Sequence, residues 1–185
     1  MILKTKRLIL RPLAVSDLES AYAYLGDREN CPYMSFLPHD SAEETLSYLR
    51  EAEAEWQKET PRHLHFAVLL DGAHIGEVFF YIAGSHGDCS DHCDHGGLGE
   101  LGWLIRHDLR GRGYAFEAAE AVRDFALREL KLKTLVAHCD TRNTASERIM
   151  QKLGMTLHER GKRFNRAQPD IEADEVGYIF TNGAI

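Results

Sequence analysis

A chain of 185 residues with a net charge of −7 is sized for one domain, 1–185, with a core of its own, and its acidic balance argues against general attraction to nucleic acid while suiting a cationic substrate. Hydrophobic residues at 44% and charged residues at 28% exclude a disordered polymer. No apolar run reaches the length of a membrane span, and Met1 to Lys6 lacks the apolar core of a signal peptide, so a cytoplasmic protein with no membrane partner is expected. In that setting Cys31, Cys89, Cys93 and Cys139 read as reduced thiols rather than a disulfide framework.

Taken in order, Arg7 to Leu13 reads as a first strand, and Ser16-Asp-Leu-Glu19 as a capping box that starts a helix running to about Leu25. Residues 26–40, with Pro32 and Pro38, form a loop in which Tyr33, Met34 and Phe36 suit either the core or a lid over a substrate. A second capping box, Ser41-Ala-Glu-Glu44, opens a helix to about Lys58. Its opposite face, Glu43, Glu44, Glu51, Glu53 and Glu55, is acidic. His65 to Leu70, the turn Asp71-Gly72, and His74 to Ile82 make a β-hairpin.

The loop 84–97 collects His86, Cys89, His92, Cys93 and His95, residue types that ligate transition metals. Their spacing matches no standard zinc finger, and a polar glycine-rich surface loop accounts for them equally, so no metal ligand is assigned.

The chemistry concentrates between Leu98 and Phe125. Gly99 to Ile105 reads as a strand buried on both faces. His107-Asp108 interrupts it, and Arg110-Gly111-Arg112-Gly113 supplies a turn with two glycines free to take positive φ. From Tyr114 the period becomes helical, with Ala115, Ala118, Ala119, Val122, Phe125 and Ala126 on one face. A helix N-terminus presents unpaired amides and partial positive charge, and with Arg110 and Arg112 beside it the expected ligand is a phosphate or pyrophosphate. Neither a P-loop nor a Gly-x-Gly-x-x-Gly dinucleotide turn is present here.

Beyond it, Lys133 to Cys139 is another strand. Thr144-Ala-Ser-Glu147 can cap a helix whose apolar face is Ile149, Met150 and Leu153, with Gly154 ending it. Thr156 to Phe164 and Glu175 to Thr181 read as two closing strands around a polar loop.

Three of these stretches together resemble the GNAT N-acetyltransferases. Arg110-x-x-Gly113-x-Ala115 looks like the family's acetyl-CoA turn, Asn143-x-x-Ser146 with Lys152-Leu-Gly-Met155 like its second cofactor motif, and the closing hairpin like its last strands. The extended run through Glu117, and the opening Thr5 to Leu13 followed by Asp17, are similar to the branch of ribosomal-protein N-terminal acetyltransferases (RimJ/RimL-like). The resemblance implies an α/β fold, a mixed central sheet splayed at the cofactor and flanked by helices. It also implies transfer of an acetyl group from acetyl-CoA to a primary amine by direct attack.

By that resemblance Leu104 and Ile105 pair their backbone with the pantetheine arm, and Arg110, Gly111, Arg112, Gly113, Tyr114 and Ala115 hold the pyrophosphate. Asn143 fixes the far side of the splay or caps the next helix. Glu100 is the candidate proton acceptor, with Glu77 and His138 in reserve, and Ser146 the candidate donor to the leaving thiolate. The branch points to a protein N-terminal α-amine as acceptor. A small polyamine or aminoglycoside-like amine is the alternative that the acidic balance favours. A non-catalytic acyl-CoA or metal-binding sensor is the rival of another class. The sequence leaves monomer and homodimer open.

Overall fold

The computed structural model describes residues 1–82, 97–165 and 168–182, so the Cys/His-rich loop lies outside the described residues but for Gly97. The strands are β1 (Leu3–Lys4), β2 (Leu8–Pro12), β3 (His63–Leu70), β4 (Ala73–Ile82), β5 (Leu98–Ile105), β6 (Thr134–Asp140), β7 (Thr156–Asn165) and β8 (Gln168–Thr181). The helices are α1 (Leu18–Leu25), α2 (Ala42–Glu55), α3 (Tyr114–Arg128) and α4 (Thr144–Lys152). Among the described residues no helix is long and apolar enough to cross a membrane.

The strands form one 8-stranded sheet in the order β1-β2-β3-β4-β5-β6-β8-β7. Every neighbouring pair is antiparallel except β5 and β6. That parallel pair is in register only from Leu98↔Thr134 to Glu100↔Val136, although β5 continues to Ile105 and β6 to Asp140. The two strands therefore part after Glu100, opening a wedge in the middle of the sheet. Each carries backbone groups there that no strand partner uses.

Strand alternation puts a separate core on each face of the sheet. Leu101 and Ile105 pack with Val122, Phe125 and Met150 on the α3 and α4 side, whereas Leu104 joins Leu13, Tyr24, Leu49 and Ala67 under α1 and α2. Ala118, Ala119 and Ala126 are fully buried, so α3 lies close on the sheet.

Two helix starts differ in detail from expectation, and a third settles which of two candidates is the cap. Asp17, not Ser16, anchors the first: its carboxylate accepts from Ala14 N at 3.0 Å and pairs with Arg11 at 2.6 Å, so a 3-10 turn precedes α1. Ser41 caps α2 by accepting from Glu44 N, but the Glu44 carboxylate reaches back to Asp40 N rather than to the cap itself. For α4 the cap is Asn143, one residue before Thr144, and its Oδ1 accepts from Ser146 N at 3.2 Å. Helix α2 ends at Glu55, short of Lys58, and β8 starts at Gln168, well ahead of Glu175. Glu100 breaks the expected double-sided burial of β5, its side chain being 49% exposed.

Candidate active site

The turn between β5 and α3 has the backbone that the sequence demands. Gly111 and Gly113 take φ of 76° and 82°, a left-handed region that glycine enters without strain. Gly113 is the N-cap of α3 and has no side chain to satisfy the first turn. The first bond within the helix runs from Glu117 N to Gly113 O, leaving the Tyr114, Ala115 and Phe116 amides without an intrahelical acceptor. Nothing lies within 4 Å of where a Gly111 Cβ would stand, so the turn is open above. Main-chain donors, the helix dipole and that clearance fit a pyrophosphate.

A clasp from the N-terminal strands supports the turn. Arg7 Nε donates to Glu117 at 2.7 Å, Arg7 Nη1 donates to Arg112 O at 3.0 Å, and the guanidinium lies 4.5 Å from the centre of the Tyr114 ring. Glu117 also accepts from Thr5 Oγ1 and Arg7 N, and these bonds hold its carboxyl below the usual carboxylate range against the opposing effect of burial. Ala115 is half-buried against the core.

The two arginines of the turn differ. Arg112 is exposed, its guanidinium donating to Asp108 O at 3.3 Å. Arg110 is turned away from the helix N-terminus: Nη2 donates to Asn30 O at 2.5 Å and Nε to Ile105 O at 3.3 Å.

The wedge is lined by alternate residues of β5. Gly97 O accepts from Thr134 N on the β6 side, and Arg106 N donates to Ile75 O on the β4 side. By alternation the backbone groups of Leu101, Trp103 and Ile105 face the wedge, and those of Leu104 face β4. Across the wedge, Asn143 caps α4 and Ser146 sits half-buried in its first turn. Both line the pocket that opens here.

That pocket, about 740 Å³, occupies the α1–α2 side of the wedge. Residues 33–36 and His39 roof it, β3, β4 and β5 form its floor, and Glu51, Glu77, Glu100 and Glu175 stand in its lining with Lys162. Phe79 lies flat across Gly102, where a Cβ would meet the ring at 2.1 Å. Two polar groupings occupy the floor.

The first is buried. Tyr48 O–H donates to Glu77 Oε2 at 2.7 Å, so the hydroxyl oxygen accepts from His65 Nδ1 at 2.8 Å. His65 and Glu77 are 2% and 1% exposed, so the bonds within the set offset much of the cost of burying these polar groups. Burial and the Glu77 charge push the Tyr48 hydroxyl well above its ordinary range, so it stays protonated.

The second bridges the wedge. His138 on β6 donates from Nδ1 to Glu100 Oε1 at 3.1 Å and from Nε2 to Glu159 on β7 at 2.9 Å. An imidazole that donates from both nitrogens is a cation. These carboxylates raise its pKa to about 9, with the Glu100 bond the largest influence.

All predicted site residues thus fall on the wedge, its pocket or the adjoining turn, although the Arg110 side chain and the Leu104 backbone point elsewhere. The sequence reading did not single out Tyr48, His65, Glu159 or Glu175. The available signal was His65 and Glu77, polar residues at inward positions of otherwise apolar strands. Cys139 is buried at the end of β6, as expected. Among the described residues no three His, Cys, Asp or Glu side chains converge to hold a metal.

A splayed parallel pair, an uncapped glycine turn at a helix N-terminus and an acid-lined pocket beside them define an acyl-CoA-dependent N-acyltransferase. Residues 7–156 match the acetyltransferase (GNAT) domain, and the chain belongs to that family of acetyl-CoA-dependent N-acetyltransferases. It is 28% identical over 157 residues to the uncharacterized N-acetyltransferase YnaD of Bacillus subtilis, a span covering 84% of this chain and 82% of that one. A GNAT-family acetyltransferase from Bacillus anthracis superposes with a TM-score of 0.74 at 26% identity, covering 98% of each chain. RimL, a ribosomal alpha-N-protein acetyltransferase solved in complex with coenzyme A, has the same fold, with a TM-score of 0.78 and 15% identity over the whole of both chains.

Proposed function

We propose that the chain acetylates the N-terminal α-amine of a protein or peptide. The observation that carries this reading is the pocket at the mouth of the wedge: beyond the part that Trp103, Asn143 and Ser146 line it extends beneath residues 33–36, and its carboxylates outnumber its one lysine. It suits a cationic amine attached to an extended chain. The functional name of RimL, a neighbour in fold, agrees with that choice. An α-amine titrates near pH 8, so a fraction is already neutral at pH 7 and the demand on a base is modest.

In this reading the amides of Gly111, Arg112, Gly113, Tyr114 and Ala115, with the Arg112 guanidinium, hold the pyrophosphate. The wedge-facing backbone of Trp103 and Ile105 aligns the pantetheine arm, Leu104 between them anchors the strand in the core under α1 and α2, and Asn143 bounds the opposite side. Acetyl-CoA supplies the thioester carbonyl that the amine attacks. A wedge-facing amide polarises that carbonyl, since donors fixed beforehand need no reorganisation as charge develops. Glu100, at the last paired position of β5, accepts the amine proton, and the His138 cation, held on its other nitrogen by Glu159, keeps Glu100 ionised and in place until it does. Ser146 is the donor to the leaving thiolate. Glu77, held by Tyr48, keeps negative charge facing the ammonium form of the acceptor.

The test is a set of peptides offered with acetyl-CoA. Each peptide is made with a free and with a blocked N-terminus and carries an internal lysine, and acetylation is located by mass spectrometry. Acetylation of free N-termini alone is expected. Modification of the lysine, or a preference for spermidine over every peptide, would overturn the reading.

A further inference from the structure

The segment 26–40 roofs the acceptor pocket, yet its side contacts reach the elements that flank the wedge. Arg110, the first residue of the turn, holds Asn30 O with one arm and Ile105 O with another. His107, just before the turn, pairs with Asp27 at 2.7 Å. On the far side Arg142, fixed to Asp140 at the end of β6, lies 5.7 Å from the centre of the Tyr33 ring. The roof is thus stitched to β5 and its turn on one side and to the end of β6 on the other.

The roof is also imperfectly satisfied. Asn30 is 2% exposed, and neither its side-chain oxygen nor its nitrogen has a partner among the described residues. A buried amide without partners raises the free energy of the arrangement that buries it, and swinging the segment outward returns those atoms to water. What opposes opening on this side is the His107–Asp27 pair together with the Arg110 guanidinium on the Asn30 carbonyl, and of the two only Arg110 belongs to the turn itself.

From these contacts we infer that Arg110 is a positioning residue for the acceptor roof and not a phosphate ligand, and that it couples occupancy of the acetyl-CoA turn to closure of segment 26–40. Arg110 N donates to His107 O at 3.2 Å, but from Gly111 to Phe116 no amide has a backbone acceptor among the described residues, so an anion that engages those amides adds a restraint the turn otherwise lacks. Clamping the turn fixes the root of the Arg110 side chain. Holding Asn30 then costs less conformational entropy, and a more ordered roof in turn favours the ordered turn. Acetyl-CoA therefore completes the acceptor site. The inference rests on the pocket as the acceptor site, not on which amine enters it.

Hydrogen exchange of segment 26–40, with and without acetyl-CoA, tests this without knowledge of the acceptor. The amides to follow are Cys31, Met34 and His39, each bonded within or beside the roof. In the wild type acetyl-CoA should slow their exchange by about tenfold, the scale set by typical coupling between two sites. In Arg110→Ala that response should vanish, and by reciprocity acetyl-CoA affinity by calorimetry should fall by no more than the same factor of about ten, because the anion site itself is mainly backbone.

Arg110→Lys, which keeps the charge and places less demand on refolding, should also lose the response, since one ammonium cannot span both carbonyls. With an unblocked seryl hexapeptide as acceptor, KM should rise more than kcat falls in both variants. A roof that ignores acetyl-CoA in the wild type would overturn the inference. So would loss of acetyl-CoA affinity by about a hundredfold or more in Arg110→Lys, which exceeds the coupling and marks a direct phosphate contact. A peptide that is never acetylated counts against the proposed acceptor alone and leaves the exchange result standing.

Discussion

The turn that receives the phosphates and the pocket that receives the amine adjoin the same strand, β5, but they are assembled in opposite ways. The turn is contiguous: Arg110 to Ala115 provide its glycines, its helix start and its amides within one short run. The pocket is gathered from afar. Tyr48 meets His65 and Glu77 at separations of 17 and 29 residues, His138 meets Glu100 at 38, and Arg110 meets Asn30 at 80. Backbone chemistry needs a particular conformation and little else, so a local sequence can specify it. Side-chain chemistry needs convergence, which only the folded sheet provides.

Breaking the backbone side of that contrast should have the largest effect. In Gly113→Val a β-branched side chain must sit at φ of 82°, a conformation it resists, and its Cβ stands 3.4 Å from Arg7 Nη2 of the clasp. Acetyl-CoA affinity measured by calorimetry should fall about a hundredfold, the loss of several charge-assisted bonds, with the circular dichroism spectrum retained. Retained affinity would mean that side chains, not amides, hold the phosphates.

Glu77→Gln probes the gathered side. The amide oxygen still accepts from Tyr48, so the set stays bonded while the pocket loses a charge. The kcat/KM for an unblocked peptide should fall about tenfold to a hundredfold, as expected for removing one member of a desolvated charge contact. Acetyl-CoA affinity should not move, and if it falls in parallel the two regions are not separable as described.

The same contrast explains what could be read from the chain alone. The order of elements, the turn, the start of α3 and the Gly154 helix stop follow from periodicity, glycines and caps, all local signals. Glu100 was recognisable as a carboxylate on the right strand, but its contact with His138 depends on a parallel pairing that only the folded sheet creates. Arg110 shows the limit most clearly. Its place in the motif suggested a phosphate ligand, while its partner, a main-chain carbonyl at Asn30, carries no sequence signature at all. Asn143 fared better because a cap acts three residues away.

His138→Gln sharpens the comparison through pH. The imidazolium is stabilised in the fold, its pKa raised from 6.5 to about 9 by Glu100 first and then Glu159. Its contribution is complete below the unfolded value and is lost as pH climbs through the folded one. Melting temperatures should therefore separate wild type from variant most at about pH 6 and converge by about pH 10. A separation that stays constant with pH would show that His138 acts by packing and not as a cation between carboxylates.

Glu117→Gln tests the smallest effect, the clasp beneath the turn. The carboxylate accepts from Thr5 Oγ1, Arg7 N and Arg7 Nε at 2.6, 2.8 and 2.7 Å, but Arg7 is 39% exposed, so water screens part of that charge. A loss of about 1 kcal/mol is expected at neutral pH, roughly 2–4 °C in melting temperature for a chain of this size. Because the folded pKa lies below the ordinary value of 4.5, the contribution is full above that value and disappears as pH falls through the folded one. Wild type and variant should therefore converge in acid, the reverse of the His138 pair. Acetyl-CoA affinity should weaken by about twofold, since Arg7 also steadies Arg112 O and Tyr114 and a looser turn pays more entropy on closing around an anion. If affinity is unchanged while stability falls, the turn needs no support from the N-terminal strands and its glycine backbone alone is sufficient.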